Sequence, residues 1–279
     1  MTQITEKLGG KSPIIFRNKS LSVNSKIGYK IAVKQFLVYL KRTGQKEDKD
    51  SVHSFLEEIR VTIKPATFNL KTQAIKEYLF AKYQNSPSQL FGIQQTFKGI
   101  KKPKIQKAIL PDAYLTIKQI EDLSEKLTVK ISLIAQTLFW TGARVSELIN
   151  IKLENIQTNK KAIIRIIGKG NKERTVYLPL SIYNLVRGVF RGKVYLFETA
   201  SGKQYHPVNV HREIKRQGKK FGYNNIYPHI FRHSKAMYLK NEKKLSADQI
   251  AKALGHSSIL TTLQSYFHGI PTAEDQGID

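Results

Sequence analysis

The sequence contains no cysteine, which excludes a disulfide framework, a thiol nucleophile, an iron–sulfur cluster and Cys-ligated zinc, and suits a reducing compartment. Acidic residues are scarce: 21 Asp and Glu stand against 47 Lys and Arg, a formal net charge of +26. No stretch approaches the roughly 18 consecutive apolar residues of a membrane span. The N-terminal MTQITEKLGGKSP lacks the basic-then-apolar order of a secretory leader. A cytoplasmic protein with no membrane partner is expected. What is present is a chain of 279 residues with 41% hydrophobic content, enough for two modest domains that each bury a core. The excess of cations calls for a polyanion, and lysines spread over the whole chain favour a long polyphosphate such as nucleic acid. The competing explanation is the lysine-rich composition of an AT-rich genome.

The pattern predicts a mostly α protein with a small antiparallel β-sheet. From Val23, apolar residues recur at helical steps (Ile27, Ile31, Phe36, Leu40) until Gly44. Helices are expected over Asp50–Arg60, over Pro65–Tyr83 with proline in the first turn, and near Leu90–Gly99. These make an all-α domain over 1–100. A basic linker, 101–112, follows, broken by Pro103 and Pro111. Lys98, Lys101, Lys102, Lys104 and Lys107 crowd this junction, as a solvated tether or as a strip lying across a phosphate backbone. The second domain, 113–279, opens on the capping-box pattern Thr116-x-x-Gln119 and continues into the apolar helix VKISLIAQTLFW, which stops at Thr141-Gly142. KAIIRII and RTVYLP flank GKGNKE as a hairpin, and the remainder reads as helices.

Four segments carry chemistry. In TGARVSEL, Arg144 follows a glycine break with Glu147 three residues on; this is an ordinary helical ion pair unless the surrounding apolar residues hold the guanidinium near the core for bidentate phosphate binding. In IIGKGNKERTVYLP, Lys169 sits between two glycines at a hairpin tip, followed by Lys172 and Arg174; a Gly-x-Gly hairpin is normally only a turn, but its cations can enter a DNA groove. In YPHIFRHSKAMYL, His229 and Arg232 share a helical face next to an N-terminus that favours phosphate. The His229/His233 pair has metal-ligand spacing but lacks the glutamate of HExxH, and Arg232 would repel a cation. In LSADQIAKALGHSSILTTLQSYFHG, a capping box opens a helix closed by Gly255, with His256 next and Tyr266 ten residues later. That last segment also fits a helix-turn-helix, the mark of a non-catalytic DNA-binding regulator.

Taken in order, ARVSEL, GKGNKER, HIFRH, LGHSS and a C-terminal Tyr-x-His resemble the tyrosine recombinase/integrase family over about residues 113–268, and the form of TGARVSEL and GKGNKER is similar to its Xer-like branch. The resemblance implies a catalytic domain preceded by a helical core-binding, DNA-binding domain. It implies catalytic roles for Arg144, Lys169, His229, Arg232, His256 and Tyr266, with Glu147 supporting Arg144, and DNA contacts from Lys98, Lys101, Lys102, Lys104, Lys172 and Arg174. Its reaction joins Tyr266 to DNA as a 3′-phosphotyrosine and needs neither ATP nor an obligatory metal. The implied partner is a double-stranded DNA recombination site, bound by a dimer and synapsed as a tetramer, with room for a partner recombinase or accessory protein. An inactive architectural relative is a further alternative. One departure stands out: the family tyrosine usually lies nine residues after the LGH histidine, and here position nine is Ser265. An extra residue inside a helix would turn the side chain by about 100°, so it is expected before the last helix. The tail FHGIPTAEDQGID is short and acidic, which argues against a full exchanged C-terminal helix.

Overall fold

The computed structural model describes residues 14–18, 20–103, 114–168, 172–256 and 258–266, without the side chains of Gln264 and Ser265. The contacts divide the chain into two compact units, Met1–Ala108 and Ile109–Asp279. Lys104 and Lys169 lie outside the described residues, as does most of the 101–112 linker.

The first unit holds four helices: α1 (Val23–Thr43), α2 (Lys49–Arg60), α3 (Pro65–Lys82) and α4 (Pro87–Gly99). Ser22 caps α1 by accepting the Ser25 N–H, and Gly44 ends it at φ 68°, the left-handed conformation that a helix stop of this kind requires. Asp48 caps α2 through the Asp50 and Ser51 N–H groups. The core joins Val33, Phe36 and Leu40 to Val52, Phe55, Leu56, Phe68, Ile75 and Leu79. The stripe expected from the sequence is not the buried face of α1. Ile27 and Ile31 are exposed, and the buried face of α1 is Ala32, Val33, Phe36, Tyr39 and Leu40. The five-residue step from Ile31 to Phe36 explains it, since it carries Ile31 roughly 140° around the helix from the core-facing aromatic.

The second unit is organised around α6 (Val129–Thr141), whose Ile131, Leu133, Ile134, Ala135, Leu138 and Phe139 are all buried. A helix apolar around most of its circumference belongs inside a domain. Around it lie α5 (Ile117–Lys126), α7 (Val145–Ile149), α8 (Leu180–Phe190), α9 (Pro207–Lys220) and α10 (Pro228–Asn241), and on α10 pack α11 (Ala247–Leu254) and α12 (Ile259–Tyr266). The Thr116–Gln119 capping box opens α5. The expected hairpin is present as β2 (Lys161–Ile167) and β3 (Glu173–Pro179), and a short third strand, β1 (Ile156–Thr158), extends it to an antiparallel sheet of order β1-β2-β3. Ala162, Ile164 and Ile166 of β2 face the core together with Val176 and Leu178 of β3, and Ile166 pairs with Arg174. Since alternate side chains share a face, Arg174 joins the inward set.

Phe36 is fully buried and Ile31 half-exposed. Phe36→Ala is expected to cost about 3–5 kcal/mol and Ile31→Ala less than about 0.5 kcal/mol, read from urea unfolding followed by circular dichroism. Equal losses would contradict the assigned buried face.

Candidate active site

Arg144 stands at the start of α7, directly after the Gly142 break that ends α6. Gly142 adopts φ 61°, and a Cβ there would come within 2.6 Å of Leu254 Cδ2, so the turn needs glycine on both counts. Glu147, one turn on, reaches back to Arg144. Its Oε2 accepts the Arg144 backbone N–H at 2.8 Å and its Oε1 accepts Arg144 Nη1 at 2.7 Å. From β3, Arg174 Nη2 donates to the same Glu147 Oε2 at 2.9 Å. The Glu147 side chain is 4% exposed and that of Arg174 10%, whereas that of Arg144 is 38% exposed. One carboxylate thus ties an inner and an outer guanidinium together. Burial alone pushes the Glu147 carboxyl up, but the Arg174 hydrogen bond, the Arg144 N–H and the nearby Arg174 charge outweigh it and hold it below the usual glutamate value.

Arg232 lies on α10 and is 1% exposed. Its Nη1 donates to the Gly142 carbonyl at 2.7 Å, while its Nη2 is buried with no hydrogen-bond partner among the described residues. Burial, then the Arg144 and Arg174 charges, bring its pKa down to about 10, so it remains a cation at neutral pH. A buried guanidinium with a free donor edge is an acceptor site for an oxyanion, because a donor left unpaired there costs free energy.

His229, His256 and Tyr266 border this charge. His229 is exposed at the start of α10, with the His233 ring edge-on to it at 6.0 Å. Desolvation, then Arg232, His233 and Arg144, lower its pKa to about 4. His256 follows Gly255 at the end of α11, and its Nδ1 is hydrogen-bonded to Thr262 Oγ1 of α12 at 2.6 Å. Its pKa is likewise lowered to about 4, by burial and then by Arg232, Arg144, His229 and Arg174. Tyr266 is the last residue of α12 and is 4% exposed. Its ring meets the His233 ring edge-on at 4.8 Å and stacks with His256 at 6.2 Å, and Lys240 Nζ donates to its carbonyl at 2.6 Å. Burial raises the phenol pKa against the opposing pull of Arg232 and Arg144. The helix runs unbroken from Ile259 to Tyr266, so the tenth-position tyrosine is carried to the arginines without a break in α12. The two helices that resemble a helix-turn-helix thus bring His256 and Tyr266 to α10.

Five of the six residues expected to act together are therefore gathered: Arg144, His229, Arg232, His256 and Tyr266. Lys169 lies outside the described residues. Lys98, Lys101, Lys102 and Lys172 are exposed. Arg174, read as a DNA contact, instead points inward to Glu147. Sequence reading also passed over the Gly142 carbonyl, Thr262 and the placement of His233 against Tyr266. Arg174 had a visible signal, the alternation Arg174, Val176, Leu178 along β3. The Thr262 contact had none, because it depends on how α12 turns back after Gly255.

Both histidines carry a folded-state pKa near 4 against an ordinary value of 6.5. Between these values the unfolded chain binds more protons than the folded one, so stability falls as the pH drops through that window. The melting temperature of a His229→Gln/His256→Gln double variant is expected to fall less than that of the wild type between pH 7 and pH 5, by scanning calorimetry. Parallel curves would refute the shifted values.

Residues 107–271 match the family model described as the phage integrase family. The tyrosine recombinase XerA of Pyrococcus furiosus is 32% identical over 70% of this chain and 68% of its own. The tyrosine recombinase XerD of Rickettsia conorii is 29% identical with 91% of each chain aligned. The crystal structure of XerH site-specific recombinase bound to a palindromic difH substrate, a post-cleavage complex, superposes with a TM-score of 0.68 at 19% identity, covering 92% of this chain and 80% of that one. A lambda integrase (75–356) dimer bound to a COC′ core site gives 0.69 at 14% identity, over 89% of this chain and 90% of that one. The two structural likenesses speak for the fold, and the family match covers more than half of the sequence, including every residue gathered around Arg232. The chain belongs to the phage integrase family and is a Xer-like tyrosine recombinase, an enzyme of site-specific DNA recombination.

Proposed function

We propose that this site cleaves and rejoins duplex DNA by two transesterifications, with Tyr266 as the nucleophile. The Tyr266 Oη attacks the scissile phosphorus and loses its proton as the P–O bond to the 5′-oxygen breaks. The products are a 3′-phosphotyrosine and a 5′-hydroxyl, and the 5′-hydroxyl of another strand later reverses the step. One phosphodiester replaces another, so no external energy source enters. The observation that carries this reading is the buried Arg232 with an unpartnered Nη2 beside a buried tyrosine.

A phenol of ordinary pKa near 10 is ionised in roughly one molecule in a thousand at neutral pH, a deficit of about 4 kcal/mol; burial here makes the deficit larger. Positive charge on the phosphate must supply the difference. Arg232, fixed by the Gly142 carbonyl, and Arg144, braced by Glu147, bind the non-bridging oxygens and stabilise the pentavalent transition state. His229, neutral at pH 7, can accept the phenolic proton, and His256, oriented through Nδ1 by Thr262, offers Nε2 to a phosphate oxygen. Lys169 is assigned the protonation of the departing 5′-oxygen.

The helical unit 1–100 is assigned to DNA binding, with Lys98, Lys101, Lys102, Lys104 and Lys172 as backbone contacts. Two protomers are assigned to each site and four to the synapse, in the cytoplasm. The solved XerH on difH supports the DNA partner, and the lambda integrase dimer on a core site supports two protomers per site.

A nicked duplex that loses its short 5′ fragment after cleavage traps the covalent intermediate. Incubation in EDTA is expected to give an adduct that peptide mapping locates at Tyr266 and that Tyr266→Phe abolishes. Tight site-specific binding with no adduct would overturn the catalytic reading in favour of a regulator. Arg232→Ala is expected to slow adduct formation by about 3 kcal/mol with little loss of DNA affinity, while the affinity of every variant falls steeply with salt. An affinity insensitive to salt would refute the basic DNA-binding surface.

A further inference from the structure

The Arg174 side chain is 10% exposed with its Nη2 committed to Glu147, and its Nε is buried without a hydrogen-bond partner among the described residues. It lies on the inward face of β3, paired across the sheet with Ile166, which is buried. Its guanidinium reaches the Glu147 oxygen that also accepts the Arg144 backbone N–H, while the other Glu147 oxygen holds the Arg144 guanidinium. Two glycines leave the space for it. A Cβ at Gly255 would stand 2.8 Å from Arg174 Cδ and 3.0 Å from its Nη1; one at Gly168 would stand 3.2 Å from Glu147 Oε1 and 3.6 Å from Arg174 Nη1. Arg174 is therefore wedged between the base of the hairpin and the glycine that immediately precedes His256.

We propose that Arg174 is a positioning residue for strand cleavage, which fixes the Glu147 carboxylate and, through it, the guanidinium that Arg144 presents to the scissile phosphate. This rests on the assignment of Arg144 as a phosphate clamp. The physical basis is the geometry of one shared carboxylate. Arg144 is the partly exposed partner and has freedom to swing; Glu147 restrains it only while Glu147 is itself held and ionised. Arg174 does both, with a charged hydrogen bond and a charge that stays inside the protein. Removing it leaves a buried carboxylate short of a donor, which favours uptake of a proton or rotation of the side chain. Either outcome releases Arg144. Lysine at this position retains the charge but lacks the planar fork that matches a carboxylate.

The test uses the full-length chain and a nicked duplex selected from a random-sequence library for adduct formation with the wild type. Rates of adduct formation and affinities are measured for Arg174→Ala, Arg174→Lys and Arg144→Ala, on that duplex and on the same duplex with a methylphosphonate at the scissile position. The methylphosphonate removes one negative charge, so a defect that arises from a misplaced Arg144 shrinks on it. The expected result is a loss of about tenfold or more for Arg174→Ala on the phosphodiester, the size typical of losing a partner that orients an active-site ligand. That loss should shrink on the methylphosphonate as it does for Arg144→Ala, with affinity within about twofold of wild type. Arg174→Lys should fall between the two, and it carries the comparison if the alanine variant does not fold. An Arg174 defect unchanged by the methylphosphonate, or one in which affinity and salt dependence fall together as for a direct phosphate contact, would overturn the proposal. Failure of the wild type to form any adduct is a separate outcome, which removes the assignment of Arg144 itself.

Discussion

Gathering three guanidiniums in one place sets them against one another, and the second unit depends on how that repulsion is balanced. In the site itself, burial first and then the charges of Arg144 and Arg174 lower the Arg232 pKa. A counter-charge in the middle of the pocket would cancel the field that a phosphate needs. Glu147 supplies the compensation from beneath, its carboxylate spent on Arg174 and Arg144 and almost closed to solvent. Breaking a buried pair of this kind by losing one partner costs about 3–5 kcal/mol, so the arrangement is strongly held.

Arg232 and Arg144 are supported in different ways, and each suits its place. Arg232 is a core residue anchored on a backbone carbonyl, and that carbonyl belongs to a glycine that no other residue can replace without striking Leu254. Arg144 is a rim residue anchored on a side chain. Lys235 adds to the scaffold: its ammonium lies 5.1 Å from the Trp140 ring centroid and 5.0 Å from that of Tyr238, which pins α10 against the end of α6. Tyr266 is held more lightly, at the end of an eight-residue helix whose Ile259, Leu260 and Leu263 are exposed. A helix that short has little stability of its own, so Tyr266 is kept in place by its ring contacts and by Lys240.

Much of this was legible in the sequence, and the reasons are physical. Caps and breaks announced themselves: Gly44, the Thr116–Gln119 box and Gly142 each mark an element boundary that the structure has. The small sheet was visible in the β-branched runs, although Ile156–Thr158 was too short and too ordinary to read as a strand. That Arg144, His229, Arg232, His256 and Tyr266 converge was legible through the order of their segments along the chain. The orientation of α1 was not, because several apolar residues on one helix can suggest a stripe that the core does not use. Nor was the partnership of Thr262 with His256 or of Arg174 with Glu147, since each joins segments that only the tertiary fold brings together.

The way Arg174 reaches Glu147 makes two neighbouring stretches of chain respond oppositely to insertions and deletions. At the hairpin tip, between β2 and β3, a change of length leaves the strand faces as they are. Within β3 a slip of a single residue exchanges every inward side chain for an outward one. Glu173 or Thr175 would then stand where Arg174 does, and in the first case two carboxylates would face each other in a buried pocket. A change of length in the turn thus spares the buried face of β3, whereas a slip within the strand displaces Arg174 together with the core residues Val176 and Leu178.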